Sequence, residues 1–481
     1  MAKKLTKFPF IIIIAIALLS LLMSGVPSVN SEDYWTKFQD QLSTGDTAWM
    51  LTAAALVFIM TPGLAFFYGG MVNPKNVIST MLQSYISMAV ISVLWVVVGF
   101  SLAFGESLGG IIGNPLTFFM FNGVADGAPW VNAATIPLLL FALYQLKFAI
   151  ITPALITGAF AERIRFNSYV LFICLFSLLI YTPLAHWTWH PEGILYQLGV
   201  LDFAGGTVVH MSAGWAALAS AIYLRKRNKV EHNPANIPLV MLGTGLLWFG
   251  WFGFNAGSAF GANHLSVIAA MTTTCASASA ALAWIFFDSV KGKKPSALGT
   301  CIGAVVGLVA ITPAAGFVTI SHSIVIGIVA SLISNILVEL RTSRTSLDDT
   351  LDVFPCHGVG GMVGMILTGV FATSAINSAI PVGDNGLFFG EYRLFSMHLI
   401  ALVGVSVFSF GGSMVLLKLT DLISPLRVKD TEEIVGLDVS QHGEGYLSWV
   451  KNGAELKNGV PTGNGVGIKT EEKENLAPTL S

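Results

Sequence analysis

Charge is what this sequence has least of. Lys, Arg, Asp and Glu make up 11% of its 481 residues, half or less of the share in a soluble domain. That excludes a solvated surface over most of the chain. With 25 basic residues against 27 acidic ones and no basic patch, it also excludes the positive face that nucleic-acid binding needs. Cysteine is scarce as well. Cys174, Cys275, Cys301 and Cys356 all lie in apolar stretches and form no CxxC pair. They read as buried thiols, not as disulfides or metal ligands. No soluble catalytic domain is attached, so the chain is expected to be neither an enzyme nor a carrier of a cofactor or metal.

What is abundant is apolar surface. Hydrophobic residues make up 54% of the chain and there are 49 glycines. Membrane helices carry more glycine than soluble ones, and the apolar runs are long enough for spanning helices instead of barrel strands. Runs of about 20 residues are expected to span at 46–70, 77–104, 135–160, 168–186, 205–224, 237–257, 264–287, 297–311, 323–340, 357–371 and 394–419. The fold class is therefore an all-α integral membrane protein with eleven spans over residues 46–420, set in a lipid bilayer.

The few charges fix its orientation. One set of loops carries Lys75, Arg163, Arg165, Arg225, Lys226, Arg227, Lys229, Lys291, Lys293, Lys294, Arg341, Arg344, Arg427 and Lys429. The opposite loops carry Arg393 alone, with Lys37 in the N-terminal segment. Basic loops stay in the cytoplasm. The mature N-terminus is then outside and the C-terminus cytoplasmic, in the cell membrane. Residues 1–31 begin with Lys3, Lys4 and Lys7, continue as an apolar run and end near Pro27, the layout of a cleavable signal peptide; an uncleaved extra helix is the alternative. Residues 421–451 form a cytoplasmic tail. Residues 452–481, rich in Gly, Asn, Lys and Glu, read as a disordered extension.

Two stretches answer each other. DFAGGTVVHMSAG occupies 202–214 and DVFPCHGVGGMVG occupies 352–364. Each opens with an acid, and each carries a histidine inside an otherwise apolar run, which by default marks a functional site. Their spans, the fifth and tenth, run in opposite directions, so His210 and His357 are expected to meet near the midplane. Five spans followed by five inverted ones, with the site between them, is a common transporter plan. A pair of neutral imidazoles can share a proton beside a narrow path. It also suits bis-histidine haem, and a lone intramembrane histidine is often a satisfied core residue.

Other residues gather around this pair. Trp251 and Phe254 lie near the outer end of the sixth span, close to Ser258, and Phe148 lies in the third. Trp187 and Trp189 follow the fourth. Aromatic faces attract cations, whereas an interfacial belt is the ordinary place for Trp in membranes; the belt is the reading for Trp187. Gln145 and Phe148 share one helix face, which points to a lined cavity or to an interhelical hydrogen bond. Asp202 and Asp352 are each placed to cap a following helix. Lys147 is offset by about 100° from Phe148 and is expected to face a neighbouring helix or subunit, held by carbonyls or hydroxyls.

Taken together, the motifs resemble the ammonium transporter family, the Amt/Mep/Rh group. The resemblance runs over 46–444 and rests on FFYGG (66–70), KNV (75–77), AERIRF (161–166), DFAGGTVVH (202–210), GWFGFNAGSA (250–259) and DVFPCHGVGG (352–361). It implies eleven spans in a five-plus-five inverted repeat and a homotrimer with one pore per subunit. It implies an outer ammonium site made by Trp189, Ser258 and Phe148 and ordered by Asp202, and a gate of Phe148 and Phe254. His210 and His357 become the twin histidines of the pore, with Gln145, Trp251 and Thr312 near the path. Residues 426–444 resemble the segment through which a PII-type signalling protein closes the pore. The implied function is recruitment of NH4+, its deprotonation and conduction of NH3, with the proton following for net NH4+ transport. An NH3 gas channel, an ammonium sensor and, remotely, the haem protein are the alternatives. Many members have glycines after Trp189 where this chain has His190, Pro191 and Glu192.

Overall fold

The computed structural model describes residues 8–23, 30–228, 234–446, 456–457 and 460–461. These are mostly helical; the strands are two short hairpins. Ten helices are long and apolar enough to cross a membrane. They are α1 (Thr44–Met71), α2 (Pro74–Phe104), α3 (Leu138–Phe160), α4 (Phe166–Gln197), α5 (Gly206–Leu224), α6 (Ile237–Ala259), α7 (His264–Val290), α9 (Ile320–Arg344), α10 (Phe354–Phe371) and α11 (Arg393–Ile423). The run expected at 297–311 is also a helix, α8 (Ala297–Ile311), but its 15 residues reach only about 22 Å, short of a bilayer core of about 30 Å. A further helix, Phe8–Leu22, covers the N-terminal apolar run. Most of the 452–481 extension, and residues 447–451 of the tail, lie outside the described residues.

Helix starts follow local chemistry. Ser43, Asn236, Asn263, Ser296 and Thr319 each accept a backbone N–H of the first turn of α1, α6, α7, α8 and α9, which satisfies donors the helix cannot. Between helices, small residues allow close packing. The tightest case is the crossing of α5 and α10. A Cβ on Gly214 would lie 2.2 Å from the Gly358 backbone, and one on Gly361 would lie 3.1 Å from the Cβ of His210. Gly214 and Gly361 each stand four residues after a histidine, so the absence of side chains there is what lets His210 and His357 approach.

Three helices depart from α geometry where the candidate residues sit. Gly206–Met211, Phe252–Ala256 and Phe354–Val359 are π-helical, a form that adds a residue to the turn and is frequent at functional sites.

The tail folds back on the end of the bundle that carries the α3–α4 turn. Arg165 N donates to Leu426 O (2.7 Å) and Val428 N to Arg163 O (3.0 Å). The Asp438 carboxylate accepts from the backbone of Ile78 and Ser79, and Lys75 Nζ donates to the carbonyls of Glu433 and Ile434. Beneath it lies a buried ion cluster. Arg227 pairs with Asp348 at 2.8 Å and with Glu162 at 2.9 Å, and Arg163 donates to Asp348 O, Ala159 O and Thr350 Oγ1. Burial alone would raise the Asp348 pKa, but Arg227 and Arg163 hold it below the usual carboxylate range.

Candidate functional site

At the end opposite the tail, a cavity of about 480 Å³ opens into the bundle. Gln145, Phe148, Trp189, Asp202 and Ser258 all line it, which brings together residues from α3, α4, α6 and the loop before α5. Trp189 Nε1 donates to Asp202 O (3.1 Å), and its ring meets Phe148 edge-on at 5.9 Å. Gln145 is buried and its Oε1 has no protein partner, so an acceptor is left facing the cavity's inner wall.

Asp202 is the cap expected from sequence. Oδ1 accepts from the N–H groups of Gly205 (2.8 Å) and Gly206 (2.6 Å), and Oδ2 from Thr207 N (2.7 Å) and Thr207 Oγ1 (2.5 Å). Gly205 takes φ +116°, a conformation that costs glycine little, and this turn lets one carboxylate reach three successive amides. Burial pushes the Asp202 pKa up while these donors oppose it. Because every contact donates, the ionised form is the one that fits.

Asp352 does not play the matching role at α10. It takes φ +55°, and its carboxylate turns back to Arg341 Nε of α9 at 2.5 Å. The cap is Asp349, which accepts Phe354 N at 2.7 Å. The acid nearest the helix in sequence is aimed wrongly by its left-handed backbone, and the one three residues earlier takes over.

The cavity ends at two phenyl rings. Phe148 and Phe254 lie 4.2 Å apart between centroids, at an angle of 31°. Beyond them is a space of about 10 Å³, room for about one water, bounded by Phe254, Trp251, His210 and His357. His210 Nδ1 and His357 Nδ1 are 3.4 Å apart and the rings stack at 5.5 Å. A hydrogen bond between them needs one Nδ1 protonated and the other free to accept. His210 Nε2 is buried with no protein partner. Trp251 stacks on His210 at 5.5 Å and donates its Nε1 to Thr312 Oγ1 at 3.0 Å, so Thr312 meets the pair through Trp251 and does not touch the histidines' space. Past His357 lies a second space of about 10 Å³, lined by residues including Tyr68, Leu351 and Cys356. Nothing this narrow admits a porphyrin between the histidines.

Sequence reasoning missed Tyr144. Its hydroxyl lies 2.8 Å from Gly253 O, 2.9 Å from Phe254 O and 3.2 Å from Ser258 Oγ, and its ring meets Phe148 at 5.0 Å. The signal was there, since Tyr144 precedes Phe148 by four residues and shares its helix face. Lys147 points away, as expected, but what it meets is an aromatic ring, not carbonyls or hydroxyls: Nζ sits 4.8 Å from the ring centroid of Phe58 on α1. Trp187 also stays outside the cavity, bonded to Ile111 O and packed on Phe408. His190 stacks on His186 at 4.3 Å and accepts Glu192 N through Nδ1. Neither His190 nor Glu192 lines the cavity. All four cysteines are free thiols.

The family model described as Ammonium Transporter Family matches residues 48–446. An ammonium transporter of Bacillus subtilis is 46% identical over 404 residues, 84% of this chain and 98% of that one. The crystal structure of Candida albicans Mep2 superposes with a TM-score of 0.77 at 36% identity, covering 82% of this chain and 88% of that one. A structure titled Sensor Amt Protein superposes at 0.75 and 30% identity, covering 83% and 98%. A match over nearly the whole helical part, at this identity and on the same fold, settles the kinship: the chain belongs to the ammonium transporter family.

Proposed function

We propose that this protein carries ammonium across the cell membrane, taking NH4+ from the Trp189 end and releasing it at the tail end. The basic loops gather at the tail end, which is therefore cytoplasmic. A bare NH4+ in hydrocarbon is far too costly, whereas NH3 is small and neutral. The cation is bound first, against the faces of Trp189 and Phe148 and the acceptors of Ser258 and Gln145. It then loses its proton, and NH3 passes between Phe148 and Phe254. It hydrogen-bonds to His210 and then His357, while the proton follows through the shared Nδ1 contact, so that net NH4+ moves.

The observation that carries this reading is the pair of histidines 3.4 Å apart, directly behind two stacked phenyls and flanked by spaces of about 10 Å³ each. The π-helical, histidine-bearing turns that open both α5 and α10 support a five-plus-five inverted repeat, with α11 outside it, and the exposed apolar faces of the helices suit a homotrimer of eleven-span subunits. Residues 1–31 act as the signal peptide.

An ammonium jump on sealed proteoliposomes is the test. An inward current and a change of internal pH are expected, and glucose should give neither. A pH response without current would make the protein an NH3 channel. Binding without any flux would make it a sensor, the reading that the likeness to a Sensor Amt Protein keeps open.

Two variants follow. Lys147→Met should conduct within a few-fold of the parent, because the ammonium group lies on Phe58 and away from the path. A Met variant that folds but does not conduct would place Lys147 in the path. A chain truncated after Leu426 should lose any PII-type signalling partner, since residues 426–444 form the surface docked at the cytoplasmic mouth. Pull-down with the partner retained by the truncated chain would put that contact elsewhere.

A further inference from the structure

The cavity is far larger than its proposed cargo. About 480 Å³ stands before spaces of about 10 Å³, and ammonium is close to water in size. The excess volume is bounded partly by Trp130, Phe141 and Phe260, farther from the phenyl pair than Trp189 is in the chain of contacts. Trp130 and Phe141 are stacked, with centroids 5.4 Å apart and planes at 13°, and Phe141 and Phe260 lie 5.5 Å apart. Phe260 holds a left-handed backbone, φ +54°, which is a genuine outlier for a bulky side chain. Strain of this kind persists only where surrounding structure enforces it, and it clusters at ligand sites. It sets the Phe260 ring against the cavity. Among the described residues that line the cavity, Asp202 is the sole charged one, so no fixed cation opposes a bound one.

We propose that the wall formed by Trp130 and Phe260, backed by the buried Phe141, is a binding site for a quaternary ammonium ion, a fully alkylated organic cation that is held there and not carried. Aromatic walls are the usual means of recognising such ions. A quaternary nitrogen has no N–H to give up, so the deprotonation proposed for NH4+ has no counterpart, and the ion is too large for the spaces beyond Phe254. It is a dead-end ligand that competes with ammonium for the mouth; the competition, though not the binding, rests on the transport reading above.

Calorimetry on the full-length protein with tetramethylammonium chloride tests the binding, with sodium chloride as the control. Saturable heat is expected. Phe260→Gly should weaken it by about tenfold; glycine accepts the left-handed backbone, so this variant relieves strain and keeps the fold. Trp130→Ala should weaken it as well. Absence of saturable heat in the parent would overturn the proposal, as would equal affinity in Phe260→Gly with loss in Trp189→Ala, which would move the ligand to the ammonium site. In proteoliposomes, tetramethylammonium should raise the ammonium concentration for half-maximal current and carry none itself; a tetramethylammonium current would overturn the dead-end assignment. If ammonium gives no flux at all, the transport reading falls, and calorimetry still decides this one.

Discussion

In proteoliposomes given an ammonium jump, the double variant His210→Ala, His357→Ala is expected to lose its charge movement by about a hundredfold or more, the scale of a lost acid–base pair. The reason is geometric. The Nδ1 contact of 3.4 Å is the proposed polar crossing between two spaces of about 10 Å³. Alanine removes both the shared proton and the donors and acceptors that a passing NH3 would use. Either single variant should behave similarly, because a lone imidazole has no partner to receive the proton. An acid at one position is expected to restore a current that discriminates less well, since a carboxyl can still pass a proton. The fold should survive, as alanine fits a crossing already held by Gly214 and Gly361. Unchanged current in a properly assembled double variant would remove the pair from the mechanism.

Asp202→Ala is expected to be nearly as damaging, and to act on stability too. It strips the acceptors from three buried backbone N–H groups and one hydroxyl. Unpaired buried donors cost about 1–3 kcal/mol each, so the loss over three amides is several kcal/mol before relaxation, a large part of a typical folding free energy. Two consequences should appear together. The first turn of α5 loosens, which displaces His210 at its end. The Asp202 carbonyl that holds Trp189 Nε1 at 3.1 Å shifts as well, which disorders the proposed cation site. Thermal unfolding in detergent should fall, and ammonium flux should drop to about a tenth or less, on the scale of 1.4 kcal/mol per tenfold. Asp202→Asn, which keeps one acceptor oxygen, should lie between. A variant that keeps both its unfolding temperature and its flux would deny Asp202 both roles.

Much of this molecule was legible in the order of its residues. The shortage of charge and the length of the apolar runs determined that it is a membrane helix protein, because lipid offers a backbone no hydrogen bonds and a helix satisfies its own. Acid, glycines and histidine at 202–210 determined a capped helix with an imidazole two turns beyond the capping acid, because a cap acts within a few residues. Lys147 could be turned away from the path by angle alone. What sequence could not decide is which groups meet across helices. Asp349 and not Asp352 caps α10, because the left-handed Asp352 aims its carboxylate at Arg341 of α9. Tyr144 reaches the α6 backbone only because α3 and α6 lie at that depth. The π-helical turns at 206–211, 252–256 and 354–359 add a residue to the helical count. Each rotates every later side chain by roughly 100° relative to a regular α-helix. A 3.6-residue period read from sequence therefore loses its phase at Phe254, His210 and His357, and only the packing of α3, α5, α6 and α10 against one another fixes which way those rings point.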